Sequence, residues 1–98
     1  MHIKYRTKAI QKICTDFTAA KKKYGEKNAL KIFQRIQEIS SVDTVEQMIR
    51  FGLGRCHHLL GDRKSQYAVD LVNPFRLVFS IEQDDGQTAL IIEVIDYH

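Results

Sequence analysis

The polar groups that can do chemistry crowd into the second half of the chain. Arg55, His57, His58, Arg63, Lys64 and Arg76 lie close together in sequence, and the chain ends Asp96-Tyr97-His98. Arg76 stands just before Leu77, Phe79 and Ile81, an alternating apolar triplet, and on the opposite parity. Successive side chains of a strand point to opposite faces, so the Arg76 guanidinium should point away from whatever covers the triplet. On an open sheet face it can hold a phosphate through paired hydrogen bonds. His57 and His58 are neighbours, so in a strand one packs inward and the other is accessible. A histidine in a strand more often serves structure than chemistry. Leu90, Ile92 and Val94 share parity with Asp96 and His98. A chain end ordinarily frays, but this one is tied to a strongly apolar strand.

Several kinds of site are missing from the sequence. There is no P-loop, no GxGxxG and no GxSxG. Cys56-His57-His58 lacks the further ligands of a structural zinc site, so neither a metal nor another cofactor is expected. Cys14 and Cys56 are far apart and form no CxxC motif. They read as reduced thiols in a reducing compartment, which points to the cytoplasm. No apolar run approaches the ~20 residues of a membrane span, and the start, Met1-His2-Ile3-Lys4-Tyr5-Arg6, lacks the apolar stretch of a secretory signal. The expected cellular partners do not include a membrane.

The charge is unevenly placed. Residues 1–24 carry seven Lys or Arg and one Asp, whereas residues 79–98 carry five acidic side chains and no Lys or Arg. A basic front suits a polyanion, although an excess of this kind more often marks a solvated helix face. With 98 residues, 44% hydrophobic and 28% charged, the composition is that of one globular domain over residues 1–98.

The elements that must position these groups follow from periodicity. Residues 2–6 alternate as a short strand. Thr7 can cap a helix over residues 8–24, whose stripe is Ile10, Ile13, Cys14, Phe17, Ala20 and Tyr24. Lys8, Lys12, Lys22 and Lys23 fall mostly off that stripe. A second helix over residues 26–40 carries Ala29, Ile32, Phe33, Ile36 and Ile39, and the short link at Gly25 predicts an antiparallel helical hairpin. Asp43-Thr44-Val45-Glu46 resembles a capping box before a short third helix that ends near Phe51-Gly52. From Arg55 the period becomes two, predicting strands over residues 55–60, 67–71, 76–81 and 90–95. Asn73-Pro74 and Asp84-Asp85-Gly86 mark turns. Strands clustered after helices predict an α+β fold: an N-terminal strand and a helical hairpin on one face of a mainly antiparallel sheet, with the other face open.

Four segments carry a family resemblance: Gly54-Arg55-Cys56-His57-His58-Leu59-Leu60-Gly61-Asp62-Arg63, then Tyr67-Ala68-Val69-Asp70-Leu71, then Asn73-Pro74-Phe75-Arg76-Leu77-Val78-Phe79, and the ending Asp96-Tyr97-His98. About the last half of the chain thereby resembles the HigB-like plasmid maintenance killer branch of the RelE/ParE toxin superfamily. The resemblance implies a microbial-RNase-like (RelE-like) fold and the toxin of a type II toxin–antitoxin system. Such a toxin cleaves messenger RNA on the translating ribosome and is neutralised by a HigA-like helix-turn-helix antitoxin, with operator DNA contacted only through the antitoxin complex. His57, Arg76, Asp96, Tyr97 and His98 match the family's catalytic positions, and Arg63 matches a basic residue that contacts RNA. His58 stands where relatives often carry another residue.

RNA supplies its own nucleophile, the 2′-OH. On this reading His57 and His98 are general base and acid in either order, since imidazole titrates near neutral pH. Arg76 offsets charge in the transition state. Tyr97 stacks a base or orients a proton, and Asp96 orients an imidazole. Arg55, Arg63 and Lys64, with Lys8, Lys12, Lys22 and Lys23, meet RNA phosphates. The superfamily also contains ParE-like gyrase poisons with no nuclease activity, and fold alone does not separate these or an RNA-binding module from a nuclease.

Overall fold

The computed structural model describes residues 1–96. Strand β1 (His2–Tyr5) leads into helices α1 (Lys8–Thr15), α2 (Phe17–Tyr24), α3 (Glu26–Ser41) and α4 (Val45–Arg50). Four strands follow: β2 (His57–His58), β3 (Gln66–Asp70), β4 (Phe75–Asp84) and β5 (Gly86–Asp96).

Local chemistry sets the helix ends. Thr7 Oγ1 accepts from the Ile10 amide at 3.2 Å, as the sequence predicts. The single helix expected over residues 8–24 is two helices. Asp16 closes α1 by donating its own N–H to the Lys12 carbonyl, and opens α2 by accepting from the Ala19 amide at 3.2 Å. A side chain that caps so well interrupts a helix even where the apolar stripe continues. The stripe itself is kept, with Ile10, Ile13, Cys14 and Ala20 buried. The cap of α4 falls one residue later than the predicted Asp43. Thr44 Oγ1 accepts from Gln47 N–H at 3.2 Å, while Gln47 Oε1 takes the Asp43 N–H at 2.8 Å.

The strands form one sheet in the order β1-β5-β4-β3-β2, with β1 parallel to β5 and the other pairs antiparallel. Val69, Leu77, Phe79 and Ile91 face the helices and are completely buried. Each such side chain contributes about 1.5–3 kcal/mol on burial. The far face is not bare. Leu59, Ala68, Val78 and Ile92 form a small second cluster there, with Leu59 supplied by the chain segment that leads into a 3-10 turn (Gly61–Arg63).

Two expectations about the strands need correction. The strand predicted over residues 55–60 shrinks to His57–His58, and Arg55 belongs to a preceding 3-10 turn (Leu53–Arg55). The shared parity of Leu90, Ile92 and Val94 is broken by a β-bulge. Val78 pairs with Glu93, but Phe79 pairs with Ile91, leaving Ile92 as the extra residue. A bulge puts two residues of one strand against one of the other. Ala89, Ile91 and Val94 therefore join the helix-side core, and Ile92 joins the far face.

Candidate active site on the open sheet face

Cross-strand pairing brings the site together. β3 sets Asp70 directly opposite Arg76, and β2 sets His57 opposite Ala68. Directly paired residues share a face, so His57, Asp70 and Arg76 stand on the open side with Ala68 and Val78 as a buried floor. His58 pairs with Tyr67 on the opposite face. Its ring stacks on Tyr67 with centroids 4.7 Å apart, and Tyr67 in turn stacks on Phe79. Burial first, then the charges of Glu46 and Cys56, raise the Tyr67 hydroxyl above its ordinary range.

Arg55 links the groups of the open face. Its backbone lies in the left-handed region at φ 50, which costs a residue with a side chain roughly 1–2 kcal/mol. Its Nε donates to Asp70 Oδ2. That hydrogen bond, and then the Asp70 charge, raise the Arg55 guanidinium further above its ordinary value. The Arg55 carbonyl lies 2.9 Å from His57 Nδ1. A carbonyl only accepts, so Nδ1 carries the proton and Nε2 of the neutral ring keeps its lone pair.

Asp70 also touches Arg76, with Oδ1 3.4 Å from Arg76 Nε. This is a contact between charges without hydrogen-bond alignment: Oδ1 is buried and has no hydrogen-bond partner among the described residues. From below, the buried Arg35 donates its Nε to the Asp70 carbonyl at 2.7 Å and pairs its Nη1 with Glu38 at 2.9 Å. Gly54 closes the 3-10 turn over Arg35. A Cβ there would lie 2.8 Å from Arg35 Cδ and Nε, at a φ of +59.

The remaining predicted residues are spread more widely. Arg63 lies on the open face, but Glu93 holds its Nη2 at 3.0 Å and Gln66 its Nη1 at 2.8 Å. Lys64 is exposed just after the 3-10 turn that carries Arg63. Asp96 ends β5 opposite Phe75, whereas Ile95 is the residue opposite Arg76. Tyr97 and His98 lie outside the described residues. Lys8, Lys12, Lys22 and Lys23 are exposed on α1 and α2, in the layer that covers the other face. A cleft of about 290 Å³ beside β5 includes Lys23, Arg6 and Tyr24 but neither His57 nor Arg76.

Sequence reasoning passed over Asp70 and Glu93. Asp70 has a signal in hindsight, since it alternates with Tyr67, Val69 and Leu71 and so sits on the open-face parity. Its pairing with Arg76 depends on strand register, which the sequence does not print. Cys14 and Cys56 are both buried and unpaired. Burial pushes each thiol up to about 12, so neither is a nucleophile at neutral pH. Among the described residues no His, Cys, Asp or Glu side chains gather in threes as a metal ion would need. No helix among them is long and apolar enough to cross a membrane.

No family model matches the sequence, and no curated protein is significantly similar to it. A solved structure, however, aligns over 100% of this chain and 100% of its own: a YoeB/ParE toxin from Agrobacterium tumefaciens, with a TM-score of 0.60 and 15% identity. The chain has the fold of that YoeB/ParE toxin. This is the α+β architecture expected from the element order, with the helices on one face of a five-stranded sheet. On this sheet, the face opposite the helices holds His57, Arg55, Asp70, Arg76 and Arg63.

Proposed function

We propose that the chain is the toxin of a type II toxin–antitoxin system: a ribosome-dependent endoribonuclease of the HigB-like branch, acting on messenger RNA in the cytoplasm. The observation that carries this reading is one face of a toxin-like sheet that holds an oriented imidazole, His57, and two arginines, Arg55 and Arg76, joined through Asp70. RNA cleavage by its own 2′-OH needs those parts and no metal.

In this mechanism the Nε2 lone pair of His57 takes the proton from the 2′-OH. The 2′-oxygen attacks the adjacent phosphorus, and Arg76 offsets the charge that builds on the phosphoryl oxygens. His98 returns a proton to the departing 5′-oxygen. Tyr97 stacks a base or orients a proton at this step, and Asp96 orients an imidazole. Arg63, Lys64 and the lysines of α1 and α2 hold message and ribosomal RNA by their phosphates. A helix-turn-helix antitoxin of the HigA type neutralises the toxin and carries the complex to operator DNA.

Induction of the chain without an antitoxin tests the reading. Growth should stop, and mapping of message 5′ ends should show new cuts confined to translated regions. Arrested cells with intact messages would overturn the nuclease assignment and favour a gyrase poison or a ribosome blocker.

A further inference from the structure

We propose that Asp70 is a positioning residue that holds both halves of the catalytic face, Arg76 on one side and His57, through Arg55, on the other; this rests on the ribonuclease reading above. The geometry supplies both links. One carboxylate oxygen binds Arg55 and the other faces Arg76. Arg55 is held in a left-handed conformation, and its carbonyl receives the His57 Nδ1 proton. Unfavourable backbone geometry persists only where neighbours over-determine it, and the Asp70–Arg55 pair is a contact placed to do so. Asp70 is itself fixed. Its carbonyl is bound by Arg35 and its strand position is set opposite Arg76. The carboxylate thus fixes which nitrogen of His57 faces the substrate, while keeping two guanidinium groups side by side where one phosphate can meet both.

The test uses the full chain and two variants, Asp70→Asn and Asp70→Glu, followed by nitrogen-detected NMR and by cleavage of ribosome-bound message. In the wild type, the Arg55 Nε–H should exchange slowly and the His57 ring should be protonated at Nδ1. Asp70→Asn should speed Arg55 Nε–H exchange at least about tenfold and mix the His57 tautomers. It should lower kcat roughly 10–100-fold with KM within about twofold, because positioning acts on the transition state. Asp70→Glu, which keeps the charge, should recover the Arg55 signal and at least about tenfold of the lost rate. A carboxylate that merely supported the fold would not move the His57 tautomer.

A folded Asp70→Asn protein with wild-type Arg55 and His57 signals overturns the proposal, whatever its rate. So does a lost rate that Asp70→Glu leaves unrecovered while the Arg55 signal returns. If Asp70→Asn does not fold, Asp70→Glu decides alone: an Arg55 signal lost while kcat stays at the wild-type value overturns the link. A wild-type protein that cuts no message, yet loses the Arg55 and His57 signatures in Asp70→Asn, overturns the nuclease reading and leaves the positioning contacts standing.

Discussion

His57 and His58 differ by one position in sequence and by a whole face of the sheet. His57 faces the Ala68–Val78 floor with its Nδ1 hydrogen-bonded to Arg55, while His58 lies on Tyr67 on the other side. The two substitutions His57→Gln and His58→Gln therefore separate chemistry from packing. His57→Gln keeps an amide that can hydrogen-bond but cannot shuttle a proton. It should lower message cleavage by roughly 10²–10⁴-fold, with the fold intact. His58→Gln loses only a stacking contact on an exposed ring and should leave the rate within about threefold, at a cost of about 1 kcal/mol in stability. Single-turnover cleavage and thermal melting of the two variants check this, and equal losses of rate would refute the face assignment. The alternation rule was enough to separate the two histidines and to place Arg76 on the open face. It did not reveal the partners, because Asp70 meets Arg76 only through the register of β3 on β4.

The turn that carries Arg55 is the element on which the site depends most. Its close approach to α3 leaves Gly54 no room for a side chain, since Arg35 lies 2.8 Å from where a Cβ would stand. Arg35 is buried and held by Asp70 and Glu38, so it cannot move aside cheaply. Gly54→Ala should cost roughly 2–4 kcal/mol, combining the left-handed backbone with the clash. Gly52→Ala is the matched control. It has the same left-handed backbone, at φ +68 and ψ 25, but open space around the added Cβ, so it should cost only about 1–2 kcal/mol. Chemical denaturation of both variants measures the difference, and equal losses would mean that the turn does not press on Arg35. The strand expected over residues 55–60 follows from the period of two in the segments after it, since Cys56, Leu59 and Leu60 do not themselves alternate. The Gly52-Leu53-Gly54 spacing was the available sign of a tight turn before it. The bulge at Ile92 had no such sign, since it exists only in the pairing of β5 with β4. The helices were more legible because their stripes and caps are local. Asp16 still divided the first one, by acting as a cap where the stripe alone predicted continuity.

At the scale of the whole molecule, the sheet separates two environments. The helix side holds the main core, including both thiols, and the open side holds a small cluster ringed by charged groups. The basic lysines of α1 and α2 face solvent on the helical layer, so the site's own charge comes from Arg55, Arg63 and Arg76. Placing Cys14 and Cys56 inside the main core makes stability depend on pH in a definite direction. Each thiol has an ordinary value of 9.0 and is pushed up to about 12 in the fold. Below pH 9 both states keep the proton, and the contribution is fully present. Between pH 9 and 12 the unfolded chain releases protons that the folded chain retains, so the unfolded state is favoured progressively. By pH 10 the loss should be about 1 kcal/mol per thiol. For a domain of this size that lowers the melting midpoint by about 10 °C in total. Tyr5 and Tyr67, both raised chiefly by burial, add a loss of the same sign at higher pH, so the informative window is pH 8 to 10. A double variant, Cys14→Ala with Cys56→Ala, should start less stable at pH 7 because it empties part of the core. It should then lose much less than the wild type between pH 8 and 10. Melting curves that fall in parallel for the two proteins would show that the thiols are not what the alkaline limb reports.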